Sequence, residues 1–396
     1  MTRLQRLNRN PRLLFWTKVC INFKTLNAII TLFYLHRGLS IAQIVWLSGL
    51  FGAVSLFAEI PSGYMADHLG RKRTMLLGVA FMLASTAIHW FATDFFWFAV
   101  SFVFLSFSFS CFSGTEEALL YDTLKETGHE KKMLRFNSRL LSAQNLAKIF
   151  LPSVGAIIAM DLSETRFQWL IAVDAVGLVA ALALLMLIVE PRHKAEVEAL
   201  EKGIFRESVE TIVRRPALFV ASMNKILPFV STILVWRVYQ PYFLERGIPV
   251  LWLGLFYVII HSVMFSLKWA SEAIEKRFGA RRVLDATVVL MAAFIIVAAF
   301  VRSGPLLFAA VGLYFVSHNI REPMYAHWIN ARIRSRSRAT TLSNLAVFRS
   351  ALDVPVMYAG GLLAAVDTRL AFALAAGLCI SALVFFRVRG EDVDDR

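Results

Sequence analysis

Charged residues are scarce in this sequence. Only 18% of its 396 residues are Asp, Glu, Lys or Arg, while 58% are hydrophobic. A soluble chain of this length needs far more polar residues to cover its surface, which excludes that class. Cysteine is rarer still. Cys20, Cys111 and Cys379 lie far apart, each inside an apolar segment, and supply neither a disulfide framework nor a metal site. The patterns of membrane-embedded enzymes are missing: there is no H-E-x-x-H, no G-x-S-x-G and no paired Asp motif in adjoining spans. A phosphate-binding G-x-x-x-x-G-K-[ST] loop is missing as well, which argues against built-in ATP hydrolysis. No small-residue cleavage site follows the basic start Met1 to Arg12, so the first apolar run reads as an uncleaved helix. No cofactor and no metal is expected.

What the sequence has is apolar runs, and each membrane crossing needs roughly 20 residues of helix. They predict an all-α membrane protein with twelve spans, at 13–36, 41–65, 74–93, 96–121, 138–160, 167–189, 217–243, 249–272, 283–301, 304–328, 340–365 and 369–387. The net charge of +14 could suggest nucleic acid, but the basic residues sit in short loops between apolar runs. Segments expected on the cytoplasmic side hold 29 Lys and Arg, and external loops hold five: Arg37, Arg166, Arg246, Arg302 and Arg369. That alternation predicts both termini on the cytoplasmic side of a bacterial inner membrane, with lipid as a partner and nucleic acid excluded.

The longest loop, 190–216, is rich in charge of both signs. Its Ile204, Val209, Ile212 and Val213 follow helical spacing, which predicts a cytoplasmic amphipathic helix. This linker divides the chain into two six-helix halves, 1–189 and 217–396. An internal repeat supports the division. Ser62-Gly-Tyr-Met-Ala-Asp-His-Leu-Gly-Arg-Lys-Arg73 follows span two, and Ser271-Glu-Ala-Ile-Glu-Lys-Arg-Phe-Gly-Ala-Arg-Arg282 follows span eight, at an offset of 209 residues.

The stretch Gly63-Tyr-Met-Ala-Asp67-His-Leu-Gly70-Arg71-Lys72-Arg73 resembles the loop signature of the major facilitator superfamily, G-x-x-x-D-R-x-G-R-[KR]-[KR], with His68 in place of the usual Arg. Gly63 would let span two pack closely, Gly70 would permit the tight turn, and the basic run would anchor the loop. The resemblance implies two parallel six-helix repeats. It further implies a conformational latch in which Asp67 meets the start of span eleven, an anion at a positive helix end. Gly63, Asp67, Gly70, Arg71 and Asp122 form the expected latch set. Other segments are similar to an efflux-like bacterial branch: Glu59-Ile-Pro-Ser-Gly63, Glu117-Ala-Leu-Leu-Tyr121-Asp122, Arg321-Glu322-Pro323 and Arg338-Ala-Thr-Thr-Leu-Ser343. The antiporter signature G-P-x-x-G-G of span five survives only as Pro152-Ser-Val-Gly155.

An ionisable side chain inside a span costs roughly 2.5–3.5 kcal/mol on insertion scales, so each is a functional candidate. The cations are Lys18, Lys24, Lys148, Lys225, Arg237, Lys268, Arg321 and Arg349; the anions are Glu59, Glu116, Glu117, Asp174, Glu272, Glu322 and Asp353. Lys268 with Glu272, and Arg349 with Asp353, are four apart and read as intrahelical pairs. Lys18 reads as a residue that snorkels to the cytoplasmic surface. In the family fold spans one, four, seven and ten line a central cavity. This marks Lys24, Glu116, Glu117, Lys225, Arg237, Arg321 and Glu322 as substrate or proton contacts. Asn27 lies near Lys24, His318 and Asn319 precede Arg321, and His261 and His318 are candidates for proton exchange because an unperturbed histidine titrates in a useful range. Span four is small and polar in its second half, through Ser106, Ser108, Ser110, Cys111, Ser113 and Gly114, before Glu116 and Glu117. Those two carboxylates have no opposite charge one turn back, and Lys24 and Arg321 read as their exchange partners.

The leading expectation is secondary active transport of a small organic solute by a monomer, with proton-driven export. Uptake of an anionic or zwitterionic metabolite is the alternative within transport. A non-transporting receptor or membrane-embedded enzyme is the alternative outside it.

Overall fold

Apolar stretches in a bilayer must satisfy their backbone internally, and helices do this within one segment. The computed structural model describes residues 2–192, 216–332 and 338–388, and among these it is helical with no strand. In chain order the helices are α1 (Arg3–Leu7), α2 (Asn10–Ile21), α3 (Ile30–His36), α4 (Ile41–His68), α5 (Arg71–Phe91), α6 (Phe95–Phe112), α7 (Thr115–Glu126), α8 (Met133–Ile158) and α9 (Glu164–Leu187). After the linker come α10 (Pro216–Glu245), α11 (Val250–Phe278), α12 (Ala280–Phe300), α13 (Gly304–Arg332), α14 (Arg338–Val366) and α15 (Thr368–Val384). All but α1 overlie an expected span. Among the described residues nine helices are long and apolar enough to cross a membrane, and Thr368–Val384 is a shorter apolar helix. The amphipathic linker helix expected around Ile204 to Val213 lies outside the described residues.

The chain packs as two units. Unit 1 holds Met1–Leu39, Leu50–Glu198 and Leu253–Val258; unit 2 holds Ser40–Gly49, Ala199–Trp252 and Ile259–Arg396. The core of unit 1 gathers Leu14, Met75, Val79, Leu119, Leu178 and Leu185, a seam of spans one, three, four and six.

Two spans of unit 1 are broken where the sequence predicts continuous helix. Span one stops at Ile21 and resumes as a 3-10 turn, Thr25–Ile29, before α3. The break is held from outside. Asp174 of α9 accepts from the Thr25 backbone N–H and hydroxyl, both at 2.7 Å, and so caps the restarted segment. A charged acceptor of this kind contributes about 1.5–3 kcal/mol per bond. Two glycines make room: a Cβ on Gly155 would lie 1.9 Å from the Thr25 carbonyl oxygen, and one on Gly177 would lie 2.8 Å from Phe23 Cβ. Span four breaks at Ser113 and Gly114, with Gly114 at φ +71°, a conformation natural only to glycine.

Candidate functional site

The break in span four fixes where its carboxylates point. α7 begins at Thr115, which puts Glu116 and Glu117 in a helix first turn, where negative charge is favourable. Being adjacent, they diverge by about 100°. Glu116 is buried and Glu117 is exposed. The Lys18 ammonium of α2 pairs with Glu116 Oε2. The other carboxylate oxygen, Oε1, is buried without a hydrogen-bond partner among the described residues. Lys18 therefore does not simply snorkel to the surface. It meets a carboxylate 98 residues away in sequence, a distance no local pattern conveys. Among the serines before the break, Ser106 serves packing, bonding Ser55 Oγ at 2.7 Å and the Phe51 carbonyl at 2.9 Å.

Lys24 sits at the break in span one, where its charge acts on Asp174. Sequence reasoning placed Asp174 among the membrane anions but not in the site. The signal was available, since an acid mid-way along an otherwise apolar span six needs a partner. Asn27 offers its carbonyl to the Tyr257 hydroxyl at 3.0 Å.

Arg321 of α13 is 2% exposed, and its surroundings differ from those of a substrate contact. It donates to the Leu284 carbonyl at 2.6 Å, Thr287 Oγ1 at 3.2 Å, the Asn224 carbonyl at 2.9 Å, Asn224 Oδ1 at 2.6 Å and the Tyr325 hydroxyl at 3.0 Å. All five acceptors are neutral. The guanidinium ties α10, α12 and α13 together, a structural role that the sequence did not suggest. Asn319 donates back to the Phe315 carbonyl at 3.0 Å. Arg237 Nε donates to Ser48 Oγ at 2.6 Å, and both residues belong to unit 2. His261 stands edge-on to Trp236, with ring centroids 6.4 Å apart. His318 lies 5.9 Å from the Phe229 ring and feels the charges of Arg321 and Lys225. The side chains of Glu322, Lys268 and Glu272 lie outside the described residues.

Around the loop motif, Arg71 pairs with Asp122 and also donates to the Ala118 carbonyl, tying the loop to the end of span four. Gly70 has φ +94°, as the tight turn requires. The carboxylate of Glu190, from the end of span six, accepts from the backbone N–H groups of Arg71 and Lys72, both at 2.8 Å. It caps α5, a role that sequence reasoning missed by assigning residue 190 to the linker. Gly63 departs from expectation. Among the described residues nothing lies within 4 Å of a Cβ built on it, so close packing is not its reason there. Asp67 is exposed, and the side chains at the start of span eleven lie outside the described residues.

The motif, the repeat and the helical order are thus on one chain, and residues 19–352 match the Major Facilitator Superfamily. The chain belongs to that superfamily. It is a multi-pass membrane protein with the fold of a transporter. Among functionally curated proteins none matches. Solved structures match closely in fold at low identity. A single-residue mutant of the nucleoside transporter NupG superposes with TM-score 0.75 at 14% identity, covering 96% of this chain and 98% of that one. A D-xylose-proton symporter gives TM-score 0.71 at 13% identity, covering 96% and 95%. A bacterial homolog of the human lysosomal transporter Spinster gives TM-score 0.71 at 17% identity, covering 99% and 98%.

Proposed function

We propose that this superfamily member exports a small organic solute across the bacterial inner membrane, driven by inward proton flow, through alternating access of its two halves. The cytoplasmic placement of both termini rests on the 29 to 5 asymmetry of basic residues. The observation that carries proton coupling is Glu116. It is a buried acid inside a membrane segment, with one oxygen on Lys18 and the other without a partner among the described residues. In this reading the carboxylate is paired with the ammonium in one state and carries a proton, its partner released, in another. Water or solute reaching either member shifts the balance, which is the step a proton-coupled carrier needs. A neighbouring structure is by name a proton symporter, which supports a proton as the coupling ion within this fold. Direction of movement follows the resemblance to the efflux-like branch.

Reconstituted vesicles test this reading. Glu116→Gln is expected to abolish solute movement driven by a pH gradient while exchange at equal pH survives. Glu117→Gln, altering an exposed residue, is expected to keep both. Gradient-driven transport intact in Glu116→Gln would remove Glu116 from the coupling step.

A further inference from the structure

Arg349 and Asp353 of α14 were read from sequence as a routine pair four residues apart, yet the pair is poorly made. Arg349 Nε stands 3.7 Å from Asp353 Oδ2, beyond hydrogen-bond length. Arg349 Nε and Asp353 Oδ1 are both buried atoms without a hydrogen-bond partner among the described residues, and so is His318 Nδ1. Asp353 is 4% exposed, so its free oxygen has no bulk water to turn to. An unmade bond of this kind costs about 1–3 kcal/mol, more for charged groups.

Arg349 and His318 share one aromatic ring. The Arg349 guanidinium lies 5.3 Å from the centroid of Phe229, and the His318 ring lies 5.9 Å from the same ring. They come from α10, α13 and α14, all within unit 2. The Arg349 side chain is 35% exposed, well inside a spanning helix. A guanidinium there faces hydrocarbon only at a large penalty.

The unmet groups define their complement. A planar donor at Arg349 matches a carboxylate, which guanidinium binds in a directed, charge-assisted way. An acceptor at Asp353 matches an ammonium. A lone anion would satisfy Arg349 but be repelled by Asp353 and leave its oxygen unmet. A lone amine would satisfy Asp353 and be repelled by Arg349. We propose that Arg349 and its neighbour Asp353, with His318 on the same Phe229 ring as Arg349, recognise a zwitterionic amino carboxylate, the solute class this transporter carries. The assignment rests on the transport reading for its biological use. Binding, however, is measured without any gradient, so a failure of proton coupling leaves it standing, and the reverse holds too.

The test uses the purified full-length protein in detergent, with thermal unfolding as readout, since a ligand of the folded state raises its stability. The probes are α-, β- and γ-amino acids, set against the same carbon skeletons lacking either the amine or the carboxyl. The expected result is a raised midpoint with at least one amino acid, and none with its carboxylate-only or amine-only analogue. Arg349→Gln should weaken that binding by about tenfold or more, the value of one charged hydrogen bond. Asp353→Asn should weaken it likewise while admitting the carboxylate-only analogue. If Arg349→Gln fails to fold, the wild-type probe series alone decides. Equal stabilisation by a single-charge analogue overturns the proposal, as does no response to any amino acid, or unchanged affinity in a folded Arg349→Gln.

Discussion

Under the 209-residue offset of the repeat, Phe112 in unit 1 corresponds to Arg321 in unit 2, Gly78 to Thr287, and Glu116 to Tyr325. The packing follows that correspondence. Phe112 lies against Gly78, where a Cβ would come within 2.9 Å of Phe112 Cε2. Arg321 lies against Thr287 and donates to it. In unit 1 an apolar ring fills the seat and an ionisable pair, Lys18 with Glu116, sits one turn on. In unit 2 a cation fills the seat, ringed by neutral acceptors, and the position one turn on holds Tyr325. The difference separates two uses of buried charge. A guanidinium stays charged at any accessible pH, and this one has no counter-ion among its bonds, so it serves as a rigid clamp. A carboxylate and an amine can pass a proton, so their pairing can be made and undone.

That contrast breaks most visibly at Arg321. Arg321→Leu removes five hydrogen bonds that a charged donor makes to buried acceptors, each worth about 1.5–3 kcal/mol, so even with other partners remaining a loss of about 3 kcal/mol or more is expected. Thermal unfolding in detergent should show it as a large fall in midpoint or as absence of folded protein. The double variant Lys18→Leu with Glu116→Leu should behave oppositely. Replacing a whole buried ion pair by apolar groups is often neutral, so stability within about 1 kcal/mol of wild type is expected. Gradient-driven transport should nonetheless be lost. If Arg321→Leu folds normally, or the double variant collapses, the division between clamp and exchanging pair is wrong.

Much of this was legible beforehand. Helix after helix overlies the apolar run that predicted it, because bilayer thickness sets run length. Gly70 and the Arg71–Asp122 region could be anticipated from the motif. The breaks in spans one and four were not anticipated. Span four carried a sign in Gly114, but Phe23 and Lys24 carry none. That break is imposed by Asp174, Gly155 and Gly177, which lie on other helices. The Lys18–Glu116 pair was hidden for the same reason: spacing along one helix says nothing about which face meets a neighbour. The neutral acceptors around Arg321 were hidden because a charge in a span looks alike whether its partners are ligands or carbonyls.

Gly155→Ala sharpens the point about imposed breaks. The added methyl has the Thr25 carbonyl in its place, so span one must shift. Overpacking of this sort costs about 1–3 kcal/mol. The thermal midpoint should fall, whereas Gly63→Ala, with open space around it, should leave the midpoint nearly unchanged. The smallest effect is expected at Glu190→Ala, which removes the cap on α5. A lost cap costs about 1 kcal/mol, readable as faster hydrogen exchange at the Arg71 and Lys72 amides.

The central claim is that Glu116 exchanges a proton while Arg321 only clamps. Infrared difference spectroscopy on the purified chain, between acidic and alkaline buffer, addresses it directly. A protonated-carboxyl band that appears on acidification and is missing from Glu116→Gln is the predicted result. An identical difference spectrum in wild type and Glu116→Gln would mean that Glu116 stays an ion-paired carboxylate throughout, contradicting the account.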